Sequence, residues 1–356
     1  MRLHTLALAL LCVLATPAFA DEPAQAAPKV KWVLPWKQGV ALSYQTEDTA
    51  TEVKDGATSR TRATDTTHVR IAEASDAGFV QVWSSENGTY DVLEGPPALQ
   101  AQAIQQRATI AALSGVPLEV KLATDGTYAG VRNLDTLIAK IRAVTAPTLL
   151  VAIESQMAQI EDPKAREKAR ATAKANTDAA LDRMLTPAYV EALLTRQIQD
   201  YDGFHGLEIE PDQSYEVQTA LPNPFGGPAF PAKLTFSMSV SPDDPEDLFV
   251  AWDMQIDPEK AAVAALAISE KLAGKKLDNT GKDAVTSLDI ADEGLIVVHR
   301  PTGVVEMYES TRTTQLPGQL KKVERHRMRL LDGQHEHYWR DEETADAGAP
   351  AKAEGS

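Results

Sequence analysis

The sequence predicts an α+β fold of curved antiparallel sheets packed against helices. Three observations point there. Strand-like stretches come in runs of two or three before a helical stretch, their residues alternate between apolar and polar, and the longest helical block falls in mid-chain. Helices grouped against antiparallel sheet form a layered α+β arrangement. A doubly wound parallel sheet would show continuous apolar strands, buried on both faces.

The chain opens MRLHTLALALLCVLATPAFA. Arg2 and His4 precede an apolar run from Leu6 to Ala15, Pro17 breaks it, and Ala18-Phe19-Ala20 fits the small-x-small rule for signal peptidase. Residues 1–20 are therefore expected to be a signal peptide cut near Ala20, which makes the protein periplasmic or secreted. The apolar run is too short to span a bilayer, and no later segment is long enough, so no transmembrane anchor is expected. Cys12, the single cysteine, lies inside this leader. The mature chain is then without disulfides or thiolate chemistry, and its stability rests on packing, for which its length suffices.

The chain has 51 acidic and 35 basic residues and a formal net charge of -16. That balance excludes a basic nucleic-acid footprint. Lys321, Lys322, Arg325, Arg327 and Arg329 alternate with apolar residues, which suits the wet face of a strand.

Residues 21–30 read as a disordered lead-in. An N-terminal sheet with one helix is expected over 31–132. Val40, Leu42 and Tyr44 mark its first strand, TSRTRATDTTHVRIAEA the second, and Phe79 to Trp83 the third, ending at an Asn87-Gly88 turn. Residues 98–113 read as a helix closed by Gly115. Val116, Leu118, Val120 and Leu122 alternate into a hairpin at Asp125-Gly126. A helical block follows over 133–205. Asn133 or Asp135 caps its first helix, and Pro147 should kink or interrupt that helix. Asp162-Pro163 and Thr186-Pro187 start two further helices.

Strands return over 206–341, a C-terminal sheet with one helix. They are Gln213–Ala220, Leu234–Val240, Leu248–Gln255, a hairpin around Pro301-Thr302-Gly303, and a last strand through Val323, Met328 and Leu330. Its helix should run from Pro258 to about Lys275. Residues 342–356 read as a disordered acidic tail. The order of elements is similar before and after the helical block, with Trp83 and Trp252 each near a third strand. Two readings stay open: a duplication giving two similar halves, or a single domain that alternates.

Motifs for chemistry are sparse. His335 and His337 would share one face of a strand and make half a metal site, but no zinc spacing accompanies them, so no metal is expected. His68, His205 and His299 are scattered and read as surface or rim residues. Glu208, Glu210, Asp202 and Asp212 cluster in sequence, as acidic residues do throughout this chain. Gly-x-Ser-x-Gly, Gly-x-Gly-x-x-Gly and the phosphate-binding Gly-Lys-Ser/Thr loop are absent. No catalytic residue and no cofactor are expected. The aromatic residues offer the better lead. Tyr44, Trp83, Tyr128, Phe225, Phe230 and Trp252 are candidates for lining an apolar groove between sheet and helix. The uncharged, proline-rich loop from Leu221 to Ala232 is a candidate rim or partner contact.

Trp36, Gly39, Tyr44 and the Asp125-Gly126-Thr127-Tyr128 turn resemble exported bacterial proteins of unknown function that begin with a strand containing tryptophan and glycine. The arrangement is also similar to periplasmic lipoprotein carriers, in which a curved sheet wraps helices around an apolar cavity. With the missing catalytic motifs and the aromatic surface, the first expectation is an exported protein without catalysis that binds an apolar small molecule or an envelope component. Two alternatives remain: an envelope assembly protein acting through an exposed surface, and a metal-dependent hydrolase.

Overall fold

A computed structural model describes residues 28–157, 160–221, 230–257, 259–260, 263, 266, 276, 289–316 and 320–331. The expected leader, most of the lead-in, loop residues 222–229, most of the helix from Pro258, the His335–His337 pair and the acidic tail lie outside the described residues.

In chain order the elements are β1 (Val30–Lys31), β2 (Ala41–Lys54), β3 (Ala57–Ser75), β4 (Gly78–Glu94), α1 (Pro97–Leu113), β5 (Leu118–Leu122), β6 (Tyr128–Val131), α2 (Leu134–Met157), α3 (Pro163–Met184), α4 (Pro187–Asp202), β7 (Glu208–Ile209), β8 (Ser214–Leu221), β9 (Phe230–Val240), β10 (Asp247–Ile256), β11 (Asp289–His299), β12 (Val304–Leu316) and β13 (Leu320–Leu330). The protein is α+β: a large antiparallel sheet with the four helices α1–α4 among the described residues.

Both runs of strands belong to one 11-stranded sheet, ordered β6-β5-β4-β3-β2-β13-β12-β11-β10-β9-β8. Each run is a meander of neighbours in sequence. The seam between them is the antiparallel pair β2–β13, the first and last long strands, in register from Tyr44↔Leu330 to Lys54↔Leu320. The chain must therefore pass from the β6 edge to the β8 edge, and α2, α3 and α4 make that passage.

Period-two patterning decides which face α4 meets. On β10, Leu248, Val250, Trp252 and Ile256 are buried while Ala251, Asp253 and Gln255 are exposed. The same face continues through Ile296, Tyr308, Met328, Tyr44, Val69, Trp83 and Val120 by strand register. Ile198, Tyr201 and Phe204, at and just beyond the end of α4, join this core. Each fully buried aliphatic side chain there contributes roughly 1.5–3 kcal/mol. The segment before β2 closes the core: Trp32 and Trp36 pack on the His205 ring at 4.3 and 5.4 Å.

The helix starts behave as the sequence predicts at two places. Asp162 accepts from the Lys164 amide and Thr186 from the Tyr189 amide, each ahead of a proline. Asn133 precedes α2 and its carbonyl accepts from Leu137 N, but its side chain turns to the sheet. Its Oδ1 accepts from Glu119 N and its Nδ2 donates to Pro117 O.

Three local expectations are corrected. Of the two outcomes expected at Pro147, a kink or an interruption, the interruption does not occur, since α2 runs through it to Met157. Pro147 and Ala143, whose carbonyl loses its helical donor, are both exposed, so water can satisfy that group. Asn87-Gly88 does not end the third strand. Thr64 pairs with Thr89 and Thr66 with Glu86, so Asn87 and Gly88 oppose Asp65 alone as a bulge, and β4 continues to Glu94. His205 is neither a surface nor a rim residue but buried in the aromatic core, 4% exposed.

Candidate functional site

The α4 side of the sheet holds two adjoining grooves beside α4. One, of about 360 Å³, is walled by Ile110 and Leu113 of α1, Leu194 and Ile198 of α4, and Trp83 and Leu118 of the sheet. The other, of about 380 Å³, lies toward the β2–β3 turn, between Ser59, Thr61 and Tyr90 on one side and Ser310, Lys322 and Glu324 on the other. Asp48, Gln197 and His326 line both, so the two meet at these residues. Each volume falls in the lower part of the range for small-molecule sites.

Strand register builds the floor. Ser310 on β12 is paired with His326 on β13, and His326 with Asp48 on β2, which places all three side chains in a row on one face. His326 Nδ1 lies 2.8 Å from Asp48 Oδ1. Beside them Thr46 donates to Thr67, and Thr67 to Asp65 Oδ1 at 2.8 Å. Burial raises the Asp65 pKa against the opposing Thr67 bond, and the nearby Asp48 charge raises it further. His326 Nε2 is buried without a hydrogen-bond partner among the described residues.

The wall depends on the bulge in β4. A Cβ on Gly88 would lie 2.3 Å from Ile110 Cγ2, so glycine there lets α1 approach the sheet closely.

Next to the polar groove, α4 is tied to the far half of the sheet by buried charge. Asp292 accepts from Arg312 Nε and Nη2 at 2.7 and 2.6 Å and from Arg196 Nη2 at 3.2 Å. The Tyr308 hydroxyl lies 3.2 Å from Asp200 and 3.0 Å from Ser310 Oγ. Burial pushes the Asp200 carboxyl up to about 6, against the pull of Arg196.

The aromatic candidates take different places. Trp83 lines the less polar groove, and its Nε1 donates to Gln81 Oε1. Tyr44 is sealed under α4, and Tyr201 stands edge-on to both Tyr44 and Trp83. Tyr128 donates to Glu191 on α4, away from the grooves. Trp252 shares the α4 face farther along the sheet, its ring over Gly294. Phe230 packs in a separate cluster with Ala232 and Ile256. Phe225 lies outside the described residues.

The other titratable candidates disperse. Asp202 turns into the core toward Gln81 and His205, while Glu208 and Glu210 face solvent. His68 contacts Ser43 and Glu86, and His299 contacts Thr302 and Glu246. Among the described residues no group of three His, Cys, Asp or Glu is arranged to hold a metal ion. No described helix is long and apolar enough to cross a membrane. Asp48, Asp65, Tyr201 and Ser310 had no sequence signal beyond their alternation within strands and helix.

No family model matches this chain. No curated protein matches it either. Among solved structures, one described as lipid-protein interactions in lipovitellin is similar with a TM-score of 0.41 and 8% identity, over 83% of this chain and 25% of that one. The chain thus spans about a quarter of that protein's length, and a likeness of this degree says nothing about what this chain binds.

Proposed function

We propose that this chain is an exported, non-catalytic binding protein that holds an apolar ligand in the groove between α1 and α4. The observation that carries this reading is the groove itself. Ile110, Leu113, Leu194 and Ile198 of the two helices face Trp83, Leu118 and Met328 of the sheet, an apolar wall beside a row of polar groups at Thr46, Asp48, Asp65, Thr67 and His326, which suits a ligand with a greasy part and a polar end. The leader sequence supports export, with cleavage near Ala20. In the same reading, residues 31–132 and 206–341 are two similar halves joined by the helices of 133–205.

The test is native mass spectrometry of the mature protein purified from the periplasmic fraction, followed by measurement after denaturation. A releasable mass of a few hundred daltons is the expected result. A native mass equal to the bare chain overturns the binding reading.

One observation favours a second reading, an envelope assembly protein acting through a surface. Among the described residues, strand β8 has a neighbour on one side only, spans Ser214–Leu221, and carries Val217 at 47% exposure. An open edge of that length can accept a strand from a partner. Cross-linking from position 217 in intact cells distinguishes the two.

A further inference from the structure

We infer that the Asp48–His326 pair is the polar anchor of the ligand, and that the ligand is a single-chain amphiphile with a neutral head bearing a hydroxyl or amide donor. The inference rests on the proposed groove and names the chemistry of what enters it.

The first argument is the histidine's geometry. Asp48 is acceptor-only as a carboxylate, so the 2.8 Å contact fixes a proton on His326 Nδ1. In the neutral ring, Nε2 is then an acceptor. That atom is buried, is without a partner among the described residues, and belongs to the residue at the junction of the two grooves. A buried acceptor left unmade is costly, and a hydroxyl or amide N–H from a ligand would satisfy it.

The second argument is charge. Each cation lining the polar groove already holds a carboxylate, Arg196 with Asp292 at 3.2 Å, Lys322 with Glu324 at 2.7 Å, and Arg325 with Glu309 at 2.8 Å, although Arg196 Nε is buried without a hydrogen-bond partner among the described residues. A carboxylate or phosphate head would have to share a cation with the carboxylate that cation already holds and would also face Asp48, Glu52 and Asp65. A neutral head meets neither cost. The less polar groove, at about 360 Å³, suits one chain. Beyond the junction, Ser59, Thr61 and Ser310 offer further hydroxyl partners to a polyol head.

The experiment titrates the full mature protein with three probes that share one mid-chain-brominated acyl or alkyl chain: the 1-monoacylglycerol, the fatty acid and the alkylamine. Bromine in the groove quenches Trp83, and Trp83→Phe controls for the other tryptophans. The monoacylglycerol is expected to quench saturably and to bind about tenfold or more tightly than the acid or the amine, the worth of one well-made buried hydrogen bond. His326→Leu should remove that preference, and His326→Gln, which keeps an acceptor, should restore part of it. Acid or amine binding as tightly as the monoacylglycerol to the wild-type protein overturns the inference, whatever the variants do. An unchanged preference in a folded His326→Leu protein also overturns it. If no probe quenches Trp83, the groove reading itself fails.

Discussion

The hydroxyls of Tyr44 on β2 and Tyr201 on α4 lie 2.8 Å apart in the buried core, and Tyr44 also donates to Val305 O at 2.9 Å. A phenol has one proton, so Tyr201 is the donor to Tyr44. A chain of two hydroxyls thus fastens α4 to the carbonyl of β12 across the seam of the sheet. The two tyrosines are therefore unequal. Tyr201→Phe removes one donor and should cost about 1 kcal/mol. Tyr44→Phe orphans both the Tyr201 hydroxyl and the Val305 carbonyl and should cost about 2–3 kcal/mol. Urea unfolding of the two variants measures the order, and a larger loss in Tyr201→Phe contradicts the assigned direction.

Asp292 holds two arginines from a nearly solvent-free position, its side chain 1% exposed. Removing it leaves Arg312 and Arg196 without that partner beneath α4. Asp292→Ala should therefore cost about 3–5 kcal/mol. Asp182→Ala cuts the exposed Arg142–Asp182 pair between α2 and α3 and should cost less than about 1 kcal/mol. Denaturant midpoints of the two variants check the contrast.

Asp200 makes stability depend on pH. Its folded pKa, about 6, lies above the ordinary carboxylate value, so between about pH 4 and 6 the folded state binds more protons than the unfolded one. Stability from this group is highest below that window and falls as pH rises through it. The span of roughly two pKa units sets a ceiling of about 3 kcal/mol, reduced by the group's partial access to water. Asp200→Asn should flatten the pH profile across this window and gain on the wild type at pH 7. Unfolding free energies from pH 4 to 7 supply the comparison.

The β11–β12 turn docks on the segment before β2. Gly303 has φ +75°, its carbonyl accepts from Trp32 Nε1, and a Cβ there would sit 1.9 Å from Val33 O. Gly39 has a similar φ of +87° but open space around it. Gly39→Ala should cost about 1 kcal/mol from backbone strain alone. Gly303→Ala should cost about 3 kcal/mol or more, because the turn must also move off its neighbour. Thermal unfolding of the pair separates conformation from collision.

Filling the groove should block binding without unfolding the protein. Leu194 lines the less polar groove and is half-buried on α4, so Leu194→Trp can grow into the space. The expected outcome is loss of any releasable ligand mass with the melting temperature unchanged or raised. A retained ligand in that variant places the binding site elsewhere.

Much of the strand and helix plan was legible because it is local. Alternation marked the strands from Val40 to Leu330, and Asp162-Pro163 and Thr186-Pro187 marked two helix starts. The misreadings have nonlocal causes. Asn87-Gly88 reads as a turn in isolation, and becomes a bulge because β3 continues opposite it. His205 reads as a surface residue, and is buried because Trp32 and Trp36 fold over it. Trp83 was visible as a groove residue, since a large aromatic in an alternating strand is conspicuous. Asp48 was not, being one of 51 acidic residues whose neighbours in the chain say nothing about β13.

By itself the sequence determined the α+β class, the order of elements and the absence of cysteine beyond Cys12, because composition, periodicity and turn chemistry act over a few residues at a time. The tertiary structure decided that the two runs of strands share one sheet and that Ser310, His326 and Asp48 stand in a row. It also decided that α4 brings Tyr201, Asp200 and Arg196 onto that face. Those outcomes follow from strand register across the β2–β13 seam, where residues 266 to 286 positions apart in the chain become neighbours. No local propensity encodes such a register; burial of one whole face fixes it, since a slip of one residue would turn every side chain to the other side.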